Sequence, residues 1–105
     1  MNGICVFASG SQTLDDIYIK EAQRLGRLIA RSGFCVVFGG GADGLMGALA
    51  RGAFEQGGRI TGVVPDMMNV TGIVYEHCSE LFVTDGMRER KALMEQKADA
   101  FIALP

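Results

Sequence analysis

The sequence predicts an α/β fold, an open parallel sheet doubly wound by helices. Three observations carry this. Short apolar runs alternate with segments of helical periodicity from end to end. The strand at residues 34–38 is apolar throughout, as strands are when both sheet faces are covered. No hairpin signal separates the runs, so successive strands run parallel and are joined by right-handed crossovers.

Residues 4–8, apolar and β-branched, form the first strand. Ser9-Gly10-Ser11 makes the turn after it. Thr13 or Asp15 caps a helix that runs to about Ser32, with Ala22, Leu25, Leu28 and Ile29 as its apolar face. Gly33 ends that helix, and residues 34–38 follow as the second strand. A glycine loop, Gly39-Gly40-Gly41-Ala42-Asp43-Gly44, leads into a second helix over about 45–56. Its packing face is Met46, Leu49, Ala50, Ala53 and Phe54, and Gly57-Gly58 closes it. Residues 59–64 are the third strand, stopped by Pro65. Residues 66–76 read as a loop with room for a short helical turn. Residues 80–84 are the fourth strand. Asp85 caps a third helix over about 86–98, and residues 100–104 are the fifth strand.

Composition narrows the function classes. At 105 residues and 49% hydrophobic content, the chain is one domain with a single modest core. A net charge of −2 with interspersed signs argues against nucleic acid or an anionic membrane as a partner. No apolar run approaches the roughly 20 residues of a membrane span. The start, Met1-Asn2-Gly3-Ile4, lacks the basic region expected of a signal peptide. Cys5, Cys35 and Cys78, odd in number and unpaired in spacing, read as reduced thiols in the cytoplasm, with Cys5 and Cys35 packed inside strands. His77 is the only histidine, and beside Cys78 it lacks further zinc ligands at usable spacing.

Parallel open sheets bind ligands beyond the carboxyl ends of their strands, near the point where strand order reverses. Glycine and short polar residues cluster at those ends. Ser9-Gly10-Ser11 offers hydroxyls and a flexible backbone. Gly40, Gly41 and Gly44 belong to a G-x-G-x-x-G pattern that lets backbone approach an anion closely. The same glycines equally permit tight packing of helix on strand. Asp43 suits the positive end of a helix but opposes a phosphate there. In the third helix Met87, Met94 and Ala98 form an inward stripe, with Arg90 and Lys91 between the methionines. A cation on that side implies an acidic partner or an anionic ligand, unless it snorkels to water. The planar fork of Arg90 suits phosphate or carboxylate. Arg88 and Glu89 read as solvated surface.

Taken together these motifs resemble the LOG (LONELY GUY) family, whose members are often labelled lysine decarboxylase-like. Val36-Val37-Phe38-Gly39-Gly40-Gly41 followed by Gly44-Leu45-Met46-Gly47 matches its GGG-x-x-GLMG block. Gly57-Gly58 through Gly62-Val63-Val64-Pro65 matches its GG-x-x-x-GV-x-P stretch. Met87, Arg90 and Lys91 match M-x-x-RK, and residues 98–105 match the strand entering PGG-x-GT-x-x-E. The resemblance implies a Rossmann-like fold in three αβα layers, a homodimer, and no metal or redox cofactor. It implies cleavage of the N-glycosidic bond of AMP or a cytokinin riboside monophosphate to free base and ribose 5-phosphate. It assigns catalysis to Arg90 with a glutamate of PGG-x-GT-x-x-E. Substrate contacts fall to Ser9, Gly10, Ser11, Gly40, Gly41, Gly44, Met87 and Lys91.

The chain departs from the family in three places. It ends at Pro105, before the GG-x-GT loop and its glutamate, so the expectation is a C-terminally truncated fold with an exposed fifth strand. Thr71-Gly72-Ile73-Val74 has no acid where many members carry a glutamate. Ser9-Gly10-Ser11 replaces a turn that often has glycine before serine. Two function classes stay open: the phosphoribohydrolase lineage, and a module that binds a nucleotide or phosphate without hydrolysis. A dinucleotide-dependent oxidoreductase, resting on the glycine loop and Asp66, is outweighed by the several ordered motifs. A literal decarboxylase would need a Schiff-base lysine, and Lys20, Lys91 and Lys97 have no such context.

Overall fold

Side chains alternate across a strand, so a sheet of apolar strands must find cover on both faces. The helices divide to supply it. The computed structural model describes residues 2–8 and 15–104. Its elements are β1 (Gly3–Phe7), α1 (Asp16–Arg31), β2 (Cys35–Phe38), α2 (Gly44–Glu55), β3 (Ile60–Pro65), β4 (Glu80–Thr84), α3 (Met87–Lys97) and β5 (Ala100–Ala103). A 3-10 turn, Asp66–Met68, opens the connection from β3 to β4. The strands pair in parallel in the order β4-β3-β2-β1-β5.

That order explains the layers. The chain steps outward from β1 to β4, then α3 carries it back across the sheet to the far side of β1. Right-handed crossovers running in opposite directions put their helices on opposite faces. Val6, Val36, Phe38 and Ile60 meet Ile29 of α1 and Leu49, Ala50 and Ala53 of α2 in one core. Cys5, Val37 and Val63 turn the other way, onto Met94 of α3. The result is the expected doubly wound αβα arrangement. No helix is long and apolar enough to cross a membrane among the described residues.

Some local expectations are corrected. Leu28 and Phe54 are exposed, not core. The inward stripe of α1 is Ala22, Gly26 and Ile29. Gly26 lies against the Leu49 carbonyl, and Gly52 of α2 lies against the Gln23 carbonyl, with no room for a Cβ at either. The two helices therefore touch backbone to backbone, which a search for large apolar residues overlooks. Phe54 instead stacks on the His77 ring at 4.5 Å. Asp85 does not cap α3. Gly86 occupies that position, and Glu89 reaches back to accept the Asp85 N–H at 3.2 Å. Asp15 does precede α1 as its N-cap residue, without a side-chain bond, and Thr13 lies outside the described residues. β5 stands at the sheet edge as expected, with Phe101 exposed.

Two outcomes follow for stability. In an open helix Gly26→Ala would gain up to about 1 kcal/mol. Here the new methyl meets the Leu49 carbonyl, so a loss of about 1–3 kcal/mol is expected. A lower urea midpoint with unchanged slope would show it. The second concerns alkaline pH. Burial pushes the Cys5 thiol up from 9.0 to about 11, helped by nearby Glu95. Burial likewise pushes Cys78 up from 9.0 to about 11, against a hydrogen bond from the Gly62 backbone. Unfolding frees thiols that ionise near 9.0, so between 9.0 and about 11 the unfolded chain holds fewer protons. Stability must then fall as pH rises through that window. Urea midpoints that climb across it would contradict the assignment.

Candidate active site

β2 and β3 are in register up to Phe38↔Gly62. Two residues further on, the chain turns out of the sheet at Gly40, whose φ of 81° favours glycine. Arg90, one turn into α3, lies across the place where the ladder stops. Its Nε donates to the Val63 carbonyl at 2.9 Å and its Nη2 to the Gly39 carbonyl at 2.6 Å. Glycine at 39 leaves room for this: a Cβ there would clash with Nη2 where it now lies and come within 2.9 Å of the Met46 Sδ.

Neutral carbonyls orient the guanidinium but do not neutralise it. Burial pushes the Arg90 pKa down, yet an arginine keeps its proton in proteins. Among the described residues no carboxylate pairs with it. Nη1 has only the Met87 Sδ, at 3.8 Å, and a thioether is a weak acceptor. The fork therefore holds strand ends with one side and keeps N–H groups for a ligand on the other.

Arg90 lines a cleft of about 410 Å³ at the carboxyl ends of β1 and β2. Phe7 and Ala8 form its β1 wall, and Gly39 its floor beside Met46 of α2. Met87, Lys91 and Met94 of α3 close the other side. The cleft thus pairs two cations with a mostly apolar, thioether-rich wall. Such a lining suits a ligand with an anionic end and a flat or apolar body.

The predicted residues separate into groups. Arg90, Lys91 and Met87 come together in the cleft, with Lys91 and Met87 exposed. Gly40, Gly41 and Gly44 shape the loop behind it. The Gly40 carbonyl accepts the Tyr75 N–H at 2.8 Å, Gly41 bridges to Val74, and Gly44, with φ of 62°, opens α2. Ser9, Gly10 and Ser11 lie outside the described residues. Glu76, Asp85 and Asp66 are exposed and do not line the cleft. Phe7, Met46 and Met94 were not singled out for a site from sequence. Phe7 had one usable signal, its place at the carboxyl end of the first strand.

Comparison with known proteins adds to this geometry. The chain is 41% identical over 103 residues to a cytokinin riboside 5'-monophosphate phosphoribohydrolase of Rhodococcoides fascians, covering 97% of this chain and 52% of the relative. It is 39% identical over 102 residues to the protein of that name from Mycobacterium tuberculosis, covering 97% and 54%. It thus spans about half the length of the relatives it matches. Among solved structures, the molybdenum cofactor binding protein of Rippkaea orientalis superposes with a TM-score of 0.82 at 26% identity, over 97% of this chain and 61% of that one. The molybdenum cofactor carrier protein of Chlamydomonas reinhardtii gives 0.80 at 23% identity over 98% and 62%, a likeness of fold. The model of the SLOG cluster4 family matches residues 2–105, so the chain belongs to that family, in the lineage for which its phosphoribohydrolase relatives are named.

Proposed function

We propose that the cleft is the nucleotide site of a nucleoside 5'-monophosphate phosphoribohydrolase. The substrate class is AMP or a cytokinin riboside monophosphate. Water adds to C1' of the ribose as the C1'–N bond breaks. The base leaves with the bonding pair and takes a proton, giving free base and ribose 5-phosphate. The observation that supports this most is Arg90: a half-buried cation, fixed by two carbonyls, facing an apolar cleft. In that setting it stabilises negative charge on the phosphate or on the departing base. Lys91, exposed at the cleft, adds a second charge for the phosphate. The same reading carries a cytoplasmic homodimer that uses no metal or organic cofactor. The β5 edge and the exposed Phe101 support assembly.

A second reading has its own observation. Among the described residues the cleft contains no carboxylate, and glycosidic hydrolysis needs one to favour an oxocarbenium-like sugar. A module that binds the nucleotide without cleaving it fits that lining as it stands.

Release of adenine from AMP by this chain decides between them. On the hydrolase reading the parent releases adenine, and Arg90→Ala lowers the rate by about 100-fold or more. If the parent binds AMP and releases no adenine, the binding reading stands and the hydrolase reading falls. Gly39→Ala supplies a separate check of the geometry. Its methyl displaces Nη2, so AMP affinity should drop nearly as far as in Arg90→Ala while the thermal midpoint changes less. Gly39→Ala binding AMP like the parent would refute the carbonyl anchor.

A further inference from the structure

We propose that Phe7 is the platform on which the flat ring of the ligand stacks, held in orientation by Phe101. The inference rests on the nucleotide reading of the cleft and assigns the residue that selects a nucleotide over a bare sugar phosphate. Phe7 is the last residue of β1 and lies two beyond Cys5, so it shares the α3 face. β5 pairs Cys5 with Phe101 and Phe7 with Ala103. The two aromatic rings are therefore diagonal neighbours on adjacent strands, with a small residue opposite Phe7. Their centroids are 6.3 Å apart and their planes differ by 11°. The near-parallel stacking fixes the plane of the Phe7 ring.

Phe7 is also fixed from below. Its carbonyl accepts the Leu104 N–H at 2.9 Å, which ties the end of β1 to β5. Yet its side chain remains 36% exposed, in a wall whose strand neighbours Cys5 and Val6 are fully buried. Phe7 lines the cleft that also holds Arg90, Lys91, Met87 and Met94. A ring on one wall and polarisable sulfur on the other grip an aromatic body from both sides. The cations account for an anionic end. An aliphatic ligand would gain apolar contact alone from the ring, whereas every nucleobase has a face that stacks.

The chain contains no tryptophan, so the F7W variant carries a single indole at the proposed platform. Its emission should be quenched saturably by AMP and left unchanged by ribose 5-phosphate. Phe7→Leu keeps the apolar bulk but not the aromatic face. It should weaken AMP by an order of magnitude, roughly tenfold, and leave ribose 5-phosphate affinity as in the parent. AMP binding that is indifferent to Phe7→Leu, with silent F7W emission, would overturn the platform and leave the nucleotide reading standing. A parent that binds ribose 5-phosphate and not AMP would overturn both.

Discussion

The bond pair from Arg90 to the carbonyls of Gly39 and Val63 is the interaction on which the site depends. It closes the gap where β2 turns out of the sheet and β3 continues. It also sets the height at which the first turn of α3 meets the strand ends. A charge-assisted hydrogen bond contributes about 1.5–3 kcal/mol. Withdrawing a cation from water costs several kcal/mol. Two such bonds are of the same size as the cost, so the arrangement about breaks even and leaves a fixed positive charge beside an apolar wall. Each supporting feature serves that geometry: the missing Cβ at Gly39, the left-handed turn at Gly40, and the Met46 sulfur packed under the loop.

The topology determines where this happens. Strand order reverses between β1 and β5, because α3 crosses the whole sheet to return the chain past its starting strand. The helices that follow β1 and β4 therefore lie on opposite faces of the sheet, and ligands of open parallel sheets bind near such a reversal. The cleft lies there, with Phe7 and Ala8 from β1 on one side and α3 on the other. The loop before β4 reinforces it indirectly. Ile73 and Tyr75 bond to Ala42 and Gly40, and Tyr75 packs its ring against Phe38, so the glycine loop is clamped from behind.

Much of the fold was legible in the sequence because period-two and helical patterns report burial directly. β4 matches its expected span, and the other strands differ by one residue at their ends. What failed has a common cause. Leu28 and Phe54 looked like core by hydrophobicity, but glycines, which carry no such signal, draw α1 and α2 together and turn those side chains outward. Asp85 looked like a cap by type, yet the bond comes from Glu89 one turn later. In the site, Arg90 was visible as a cation on the inward side of the third helix, whereas Lys91 and Met87, read on the same side, are exposed. Gly39 as the partner of Arg90 was not, since the pairing joins residues 51 positions apart. The place of Phe7 in the cleft wall was hidden because a phenylalanine ending a buried strand reads as ordinary core.

The contrast between the two cations shows what the cleft is built to favour. Lys91 is exposed, and a charge in water attracts an anion at 4 Å by only about 1 kcal/mol. Arg90 is half-buried, where the same pair is worth about 4 kcal/mol. Its fork is already immobilised by the two carbonyls, so little side-chain entropy remains to be lost on binding. On the proposed reading, the exposed lysine draws an anion toward the cleft, and the half-buried arginine fixes where the charge rests. That division needs an anion joined to a body that displaces water from the methionine and phenylalanine wall, since a hydrated anion alone would leave Arg90 partly solvated. A nucleoside monophosphate meets both conditions in one molecule, and inorganic phosphate meets only the first.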